Sequence, residues 1–378
     1  MSSTISPPAA SPSPSQKPIV RIGSRKSKLA IVQTEIIVSL LQKSSPEYTY
    51  EIKAMSTTGD KNQQMALHNF GAKALWTQEL EGLLVEGDID CIVHSLKDIP
   101  TTLPPGCTLG AVPARASPYD ALSMHPTLLP THKSLSTLPP NSIVGTSSVR
   151  RIAQLARLYP HLRFRSVRGN VGTRLGKLDG SDLKKEASDE VNEEGYEKQE
   201  GYSCLVLAAA GLERLDLGDR ITHLLAKKKK KNATGEEEEE GIYHAVGQGA
   251  LGVEIRQGDE RISKLVSKLD HLPTRLECEA ERALMRELEG GCSVPIGVET
   301  EWVEEQEEGV KKELILRGWV GSLDGKEAVE GEAKRKVGSL EEARELGREV
   351  AKVLRDGGAG RILEAIIKEK REKEEKVE

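Results

Sequence analysis

The sequence of 378 residues contains no apolar run that approaches the length of a membrane span, which is about 20 residues for a helix. This absence argues against an integral membrane protein. The opening stretch, MSSTISPPAASPSPSQKP, lacks the apolar core of a secretory signal and the arginines of a mitochondrial presequence. We therefore expect a cytoplasmic protein, not associated with membranes, in which residues 1–17 form a disordered tail.

Cysteine is scarce, and its spacing follows no known framework. The chain has five cysteines, at positions 91, 107, 204, 278 and 292, and no C-x-x-C or H-x-x-x-H spacing. An odd, scattered set in a long chain is typical of free thiols in a reducing compartment. The sequence therefore predicts neither a disulfide framework nor a metal site.

Acidic residues are missing from one region of an otherwise slightly acidic chain. The formal net charge is −5, yet residues 141–176 contain seven arginines and no aspartate or glutamate. Charge of a single sign is repulsive in a folded region unless an anionic partner lies there, and arginine binds carboxylates and phosphates bidentately. The region predicts a ligand with several negative groups, whereas the acidic net charge argues against general nucleic-acid binding.

A repeated local pattern predicts the fold class. Short β-branched runs are followed by Gly, Ser, Thr or Arg and then by helical periodicity, for example at 18–40, 89–98 and 142–158. Alternating strands and helices indicate α/β domains, in which ligands bind beyond the carboxyl ends of the strands. Basic residues recur at these ends, which predicts a shared cationic cleft. After about residue 267 the pattern changes to that of a small α+β unit.

Two residues stand out as candidates for chemistry, each with a structural alternative. Cys292 lies in the tight loop EGGCSVP, where the backbone can approach a ligand closely; a packing role is the alternative. Asp98 follows a buried-type strand beside Lys97 and could stabilise a cation or transfer a proton; a helix cap or a salt bridge to Lys97 is the alternative. His94 is interpreted as a polar residue at the end of that strand.

Two other functions remain open on these residues alone. A non-catalytic, two-lobed carboxylate-binding protein would explain the arginines but neither Cys292 nor Asp98. A cysteine-dependent hydrolase would need a histidine beside Cys292, and only His94 lies near a predicted cleft motif. The G-x-G of AVGQGALGVE lacks the third glycine of a dinucleotide fingerprint, so it indicates close backbone packing or an interdomain crossover.

Eight dispersed strings together resemble the porphobilinogen deaminase (hydroxymethylbilane synthase) family. They are RIGSRKSKLA, STTGD, VHSLKDIPT, VGTSSVRR, FRSVRGNVGTRL, LAAAGLERL, AVGQGALGVE and EGGCSVPIG. They occur in the order of the family and cover roughly residues 19–298. The resemblance implies a transferase that joins four porphobilinogen molecules head to tail with loss of ammonia and releases a linear tetrapyrrole for haem biosynthesis.

The resemblance also implies an architecture. We expect three domains, namely two strand–helix lobes flanking a cationic cleft and a smaller C-terminal α+β domain. Domain 1 comprises 18–115 and 242–266, domain 2 comprises 116–241, and domain 3 comprises 267–378 and carries Cys292. The insertions 179–201 and 227–240 are polar or strongly charged, and we predict solvated, mobile loops there.

The site residues implied by the resemblance fall into three groups. Asp98 is expected to contact pyrrole N–H groups, assist the departure of ammonia and stabilise the cationic intermediate. A dipyrromethane cofactor made from substrate is expected on Cys292 through a thioether, with contacts from Ser95, Lys97, Thr146, Ser147, Arg150 and Arg151. Substrate carboxylates are expected to bind Arg25, Ser27, Arg168, Arg174 and Arg214. Gln33 is expected to be a structural or interdomain contact, Arg157 and Arg163 to lie on the surface, and the protein to be a monomer.

Overall fold

The computed structural model describes residues 17–56, 77–180, 201–231, 237–288, 294–303 and 312–374. Within these residues the strands form three larger sheets and a separate hairpin, and helices pack against each larger sheet. The fold class is α/β with three strand–helix units, as predicted. Each larger sheet takes its strands from one predicted domain, although the boundaries themselves stay a prediction. None of the described helices is long and apolar enough to cross a membrane.

The strands and helices are numbered along the described chain. The strands are β1 (Ile19–Arg25), β2 (Thr49–Met55), β3 (Cys91–Ser95), β4 (Cys107–Ala111), β5 (Asp120–Met124), β6 (Ile143–Gly145), β7 (Arg163–Arg165), β8 (Cys204–Ala208), β9 (His223–Leu224), β10 (Lys228–Lys231), β11 (Glu237–Glu240), β12 (Leu251–Arg256), β13 (Ile296–Val303), β14 (Glu313–Gly321) and β15 (Ala328–Lys336). The helices are α1 (Lys28–Ser44), α2 (Gln78–Glu86), α3 (Val149–Leu158), α4 (Val171–Leu178), α5 (Ala209–Glu213), α6 (Glu260–Val266), α7 (Leu272–Glu287), α8 (Leu340–Asp356) and α9 (Ala359–Glu374).

The first sheet has the order β2-β1-β3-β12-β4, with β1 parallel to β2 and β3 and with β12 antiparallel to its neighbours. Its central strand β3 is apolar at consecutive positions because both faces are covered. Cys91 and Val93 join a core that includes α1. Ile92 points to the opposite face and packs with Leu80 and Leu84 of α2. The carboxyl ends of β1 and β3 are therefore neighbours at one edge of this lobe.

The second sheet has the order β7-β6-β8-β5-β9. Strand β6 is parallel to β7 and β8, whereas β5 is antiparallel to β8 and β9. Ser148 caps α3, and its hydroxyl accepts a hydrogen bond from the N–H of Arg151. The arginine-rich motif therefore begins a helix directly after the carboxyl end of β6, as the sequence predicted.

Two crossover segments, 112–119 and 241–250, run between the first and second sheets. They lie against each other, because Ala116 N donates to Gly249 O at 3.2 Å and Gln248 Nε2 donates to Pro118 O at 2.7 Å. Gly249 has a φ of 84°, and a Cβ there would lie 2.5 Å from Ala116 O. The G-x-G is thus a close backbone packing in a crossover, which confirms that interpretation.

The third sheet, β13-β14-β15, is an antiparallel meander covered by α7, α8 and α9. Its core includes Leu284, Leu316, Leu346 and Val350. Ser339 caps α8, where its Oγ accepts from Glu342 N at 3.3 Å, and the Glu342 carboxylate accepts a hydrogen bond from Gly338 N at 2.8 Å. The third unit therefore has the α+β character that its sequence indicated.

The prediction of a loop over 227–240 is wrong for the residues that form β10 and β11, whereas their solvation and mobility stay a prediction. Strands β10 and β11 pair antiparallel with Lys228 opposite Glu240 and Lys231 opposite Glu237. This register relates the two charged blocks to each other, whereas the sequence argument had treated each block separately. Residues 181–200 of the other insertion lie outside the described residues, as do residues 1–16 of the predicted tail.

Candidate active site

A small pocket of about 60 Å³ lies beyond the carboxyl ends of β1 and β3. It brings together four residues that the sequence analysis selected, Arg25, Ser27, Ser95 and Asp98. Its remaining lining residues are Leu29, Ala30, Gln33, Thr77, Val93 and His94. A carboxylate, a guanidinium and two hydroxyls thus converge on one cavity, although they are as many as 73 positions apart in the chain.

Local hydrogen bonds fix the serines of this pocket. Ser27 caps α1, where its Oγ accepts from Ala30 N at 3.3 Å. Ser95 lies 2.8 Å from Gln33 Nε2, and this contact ties the end of β3 to α1. Gln33 lines the pocket as well, and its expected role as a structural or interdomain contact stays a prediction. Residues 96–98 then form a short 3-10 helix, from which Asp98 is exposed.

Lys97 connects this pocket to the second lobe electrostatically. The side chain is half-buried, and burial lowers the pKa of its ammonium group. Asp98 opposes this shift, whereas Arg151 of the second lobe adds to it. The basic groups of the two lobes therefore lie close enough to influence one another, as a cleft between the lobes requires.

Arg150 and Arg151 are buried at the start of α3 and share one carboxylate. Arg150 Nη1 donates to Asp120 Oδ2 at 2.7 Å, and Arg151 donates to Asp120 Oδ1 from Nη2 at 2.7 Å and from Nε at 3.0 Å. Burial would raise the pKa of Asp120, but the two guanidinium groups outweigh it and hold the pKa well below its usual range. Direct cofactor contacts by these arginines stay a prediction, since part of each guanidinium is already bound.

The other predicted basic residues occupy different positions in the second lobe. Arg174 Nε donates to Gly169 O at 2.8 Å, and burial together with Arg151 lowers the pKa of Arg174 to about 10. Arg168 is half-buried. Arg214 does not line the pocket; it donates to Gly249 O of the crossover at 2.7 Å.

The predicted hydroxyl donors after β6 serve the fold in this structure. Thr146 is buried, and its Oγ1 accepts from Ser148 N at 3.3 Å. Ser147 Oγ donates to Val167 O at 2.7 Å and accepts from Val167 N, which joins the loops after β6 and β7. Their cofactor contacts stay a prediction.

The arginines that were not assigned to the ligand are accounted for. Arg157 and Arg163 are exposed, as expected for surface residues. Arg165, for which the sequence indicated no role, stacks on the Tyr202 ring with its Cζ 4.2 Å from the centroid. The seven arginines of 141–176 therefore divide between the cleft, the surface and packing.

Cys292 lies outside the described residues, in the gap between α7 and β13. The other four cysteines are buried and free. Burial is the first cause that raises the pKa of Cys91, Cys204 and Cys278 to about 12, which disfavours their thiolates and supports a packing role. No group of residues suited to a metal ion occurs in the described part of the chain.

A buried ion pair fixes α7, the helix that precedes Cys292, to the crossovers. Arg115 donates to Glu281 Oε1 at 2.7 Å and Oε2 at 3.2 Å, and its Nε donates to Gln248 O at 2.8 Å. Glu281 Oε2 also accepts from Gly247 N at 2.7 Å. Sequence reasoning missed Arg115, Asp120 and Glu281, since each partner is remote in the chain and no motif marks it.

Two family models together match most of the chain. The one described as "Porphobilinogen deaminase, dipyromethane cofactor binding domain" matches residues 20–264, and "Porphobilinogen deaminase, C-terminal domain" matches residues 275–356. The chain belongs to the porphobilinogen deaminase family. The resemblance of the eight strings is thereby confirmed.

Curated relatives named porphobilinogen deaminase match over nearly their whole length. The Yarrowia lipolytica protein is 48% identical over 357 residues, which cover 93% of this chain and 94% of that protein. The Candida albicans protein is 44% identical, with 92% of each chain covered, and the Synechococcus protein is 45% identical, with 93% and 98% covered. Among solved structures, the BenM effector binding domain with benzoate covers 73% of this chain and 95% of its own at 11% identity, with a TM-score of only 0.33.

Membership of the porphobilinogen deaminase family decides between the alternatives that the sequence left open. The family is one of enzymes, so a purely carboxylate-binding protein is not supported. A cysteine hydrolase is not supported either: His94, its one candidate base, is buried, and its Nε2 lies 3.4 Å from Glu254 Oε2.

Proposed function

We propose that this protein is a porphobilinogen deaminase. It condenses four porphobilinogen molecules head to tail, with loss of ammonia, to form hydroxymethylbilane in haem biosynthesis. The observation that carries the proposal is the pocket in which Asp98 meets Arg25, Ser27 and Ser95, in a chain that belongs to this family.

Asp98 is the proposed catalytic residue. The reacting methylene carbon of the substrate becomes cationic as ammonia leaves, and an oriented carboxylate stabilises that charge most strongly where water is scarce. The same carboxylate can accept hydrogen bonds from pyrrole N–H groups and so orient the ring. Its exposed position at the end of a short 3-10 helix makes it accessible to substrate.

The basic residues are the proposed carboxylate-binding groups. Each pyrrole unit brings an acetate and a propionate, so a growing chain needs several cations along one cleft. Arg25 lies in the pocket beside Asp98, and we assign the substrate carboxylates to it together with Ser27, Arg168, Arg174 and Arg214. Burial lowers the pKa of Arg174 and Arg214, and a ligand carboxylate would favour their charged forms.

The described residues fit the dipyrromethane cofactor named in the family model. Lys97, Arg150, Arg151 and Arg174 influence one another electrostatically across the cleft, and this excess of positive charge suits the four carboxylates of two pyrroles. We propose that Ser95, Thr146, Ser147, Lys97, Arg150 and Arg151 hold the group and that Cys292 binds it through a thioether. When bound, it supplies the pyrrole end to which the first substrate is joined.

The cofactor assignment is tested by intact mass. The purified wild-type chain should carry the added mass of a dipyrrole, and Cys292→Ser should lack it. Cys107→Ser is the control, because Cys107 is a thiol of the first lobe outside the pocket; this variant should keep the added mass. An active wild-type protein with an unmodified mass would refute the assignment.

The role of Asp98 is tested by turnover of porphobilinogen. Loss of a single group that stabilises transition-state charge typically costs about 100- to 1,000-fold in kcat, so Asp98→Ala should lose activity to that extent while its melting temperature is unchanged. Asp88→Ala removes an exposed carboxylate of the same lobe and should turn over normally. Near-normal turnover of Asp98→Ala would remove it from the mechanism.

Three further statements belong to the same proposal. We infer that porphobilinogen is the substrate, that the protein acts as a monomer without nucleic acid, and that it works in the cytoplasm. Size-exclusion chromatography with light scattering tests the monomer: a mass near 41.3 kDa is expected, and a stable dimer would contradict it. The ranges 18–115 with 242–266, 116–241 and 267–378 are proposed as the three domains.

A further inference from the structure

We propose that Asp120 is a positioning residue for ligand carboxylates, which holds Arg150 and Arg151 side by side and links them to the crossover through Gln248. This inference rests on the proposed function. Asp120 itself does not touch the ligand in this proposal; it acts through the two arginines. It belongs to none of the eight motif strings, and only the contacts of the folded chain single it out.

Asp120 is completely buried, at 0% exposure, as the first residue of β5. It accepts hydrogen bonds from Arg150 Nη1, from Arg151 Nε and Nη2, and from Gln248 Nε2 at 2.9 Å. Four donors from three residues therefore converge on two carboxylate oxygens. Such complete use of a buried carboxylate fixes the directions of all its partners.

The remaining hydrogen bonds of the arginines fix one side of each guanidinium. Arg150 Nη1 also donates to Tyr243 O at 2.6 Å, and Arg151 Nη1 donates to Val206 O at 2.7 Å. Toward the described residues Arg150 thus donates through Nη1 alone, and we assign its Nε and Nη2 to a ligand carboxylate. Without Asp120 these two buried cations would repel each other, and each would keep only a single carbonyl acceptor.

Gln248 extends this arrangement to the rest of the molecule. Its Nε2 donates both to Asp120 Oδ1 and to Pro118 O, and its carbonyl oxygen accepts from Arg115. Arg115 in turn binds Glu281 of α7, the helix that leads to Cys292. The arginines and the base of the cofactor-bearing segment are therefore joined by one continuous set of buried polar contacts, with Asp120 at its centre.

A purely structural role for Asp120 makes a different prediction from a positioning role. A structural carboxylate affects how much protein is folded, but not how well the folded molecules bind substrate. We assign Arg150 and Arg151 to the acetate and propionate groups of the cofactor and of the pyrrole chain built on it, so each incoming porphobilinogen meets an acceptor that they hold in place. A positioning residue affects this binding in the ground and transition states alike, so its loss raises KM more than it lowers kcat. The separation of KM from kcat therefore distinguishes the two roles.

The test uses full-length Asp120→Asn, assayed with porphobilinogen on the fraction that carries the dipyrrole. The amide has the shape of aspartate, but it lacks the charge and presents an N–H₂ donor to one guanidinium. We expect KM to rise at least tenfold and kcat to change by less than threefold. Asp120→Glu keeps the charge and should give a KM below that of the asparagine variant.

Asp90→Asn is the matched control. Asp90 is also a nearly buried aspartate, and it binds Arg261 Nη2 at 2.6 Å and Arg21 N at 2.7 Å, within the first lobe. Its loss should lower the melting temperature and leave KM unchanged. A KM of Asp120→Asn within twofold of wild type, or equal shifts in KM for the Asp90 and Asp120 variants, would overturn the proposal.

Gln248→Met decides the question if Asp120→Asn does not fold. This variant keeps the carboxylate and both arginines and removes one of the four donors, so KM should rise about threefold; an unchanged KM would overturn the proposal. Assays of the wild type distinguish a failure of the proposed function from a failure of the positioning role. A wild type without dipyrrole or deaminase activity refutes the proposed function, whereas an active wild type with an indifferent Asp120→Asn refutes only the positioning role.

Discussion

Replacement of Arg115 by methionine should remove the buried ion pair that joins the third unit to the crossovers. The guanidinium forms two bonds to Glu281 and one to Gln248 O. The exposed fractions of the Arg115 and Glu281 side chains are only 6% and 0%. Removal of one member of a buried ion pair leaves an uncompensated charge and costs about 3–5 kcal/mol. We therefore expect the free energy of unfolding to fall by that amount in Arg115→Met.

Urea unfolding followed by tryptophan fluorescence measures this loss, because Trp302 and Trp319 both belong to the third sheet. With an m-value of roughly 2 kcal/mol per molar urea, the midpoint should fall by about 2 M. Arg317→Met is the control. Arg317 pairs with three glutamates at a partly exposed position, where such pairs are worth about 1 kcal/mol or less.

The double variant Arg115→Met with Glu281→Met completes a cycle that isolates the pair. It removes both charges, so most of the loss should be recovered. Part of it should remain, because Gly247 N and Gln248 O lose their partners, and a buried unpaired group costs about 1–3 kcal/mol. A decrease in the free energy of unfolding below 1 kcal/mol in Arg115→Met would refute the reasoning. A decrease in the double variant equal to the sum of the decreases in the two single variants would refute it as well.

Three other predictions follow from the environments of single residues. Burial lowers the pKa of His244 to about 4, so between pH 6.5 and 4 the unfolded state binds the extra proton and the free energy of unfolding decreases as the pH is lowered. His244→Asn should remove about 3 kcal/mol of that decrease, measured by urea titrations at each pH. Burial lowers the pKa of Lys97, so KM should rise at alkaline pH as the lysine loses its charge. Lys97→Arg should move this rise to higher pH, because arginine stays charged; a rise at the same pH in both proteins would contradict this. Gly249→Ala should lose more melting temperature than Gly258→Ala, since both have positive φ but only Gly249 would clash with Ala116.

The sequence predicted the position of site residues where a motif directly follows the carboxyl end of a strand. The short runs before Arg25 and Asp98 predicted strands, and the carboxyl ends of neighbouring strands meet at one edge; the pocket accordingly contains both residues. Local pattern sufficed in these cases because strand direction places the residues.

Long-range pairing is what the sequence could not supply. Asp120 lies about 30 residues before the arginines that it binds, and Gln248 lies 128 residues after it, so no local period reports their contact. The prediction of a loop in place of the Lys–Glu hairpin was wrong for a related reason. Each charged block alone favours a solvated loop, and only the antiparallel register, with Lys228 opposite Glu240, brings the two blocks together.

The position of β12 has a consequence for synthesis on the ribosome. This strand lies between β3 and β4 and pairs with both, yet it begins only at Leu251, after the whole second sheet. The first sheet therefore cannot close until about residue 256 has left the exit tunnel, whereas the second is complete in sequence by Leu224. Because domains fold as units once their chain is available, the second lobe should fold first, and the nascent first lobe should wait with β3 and β4 unjoined.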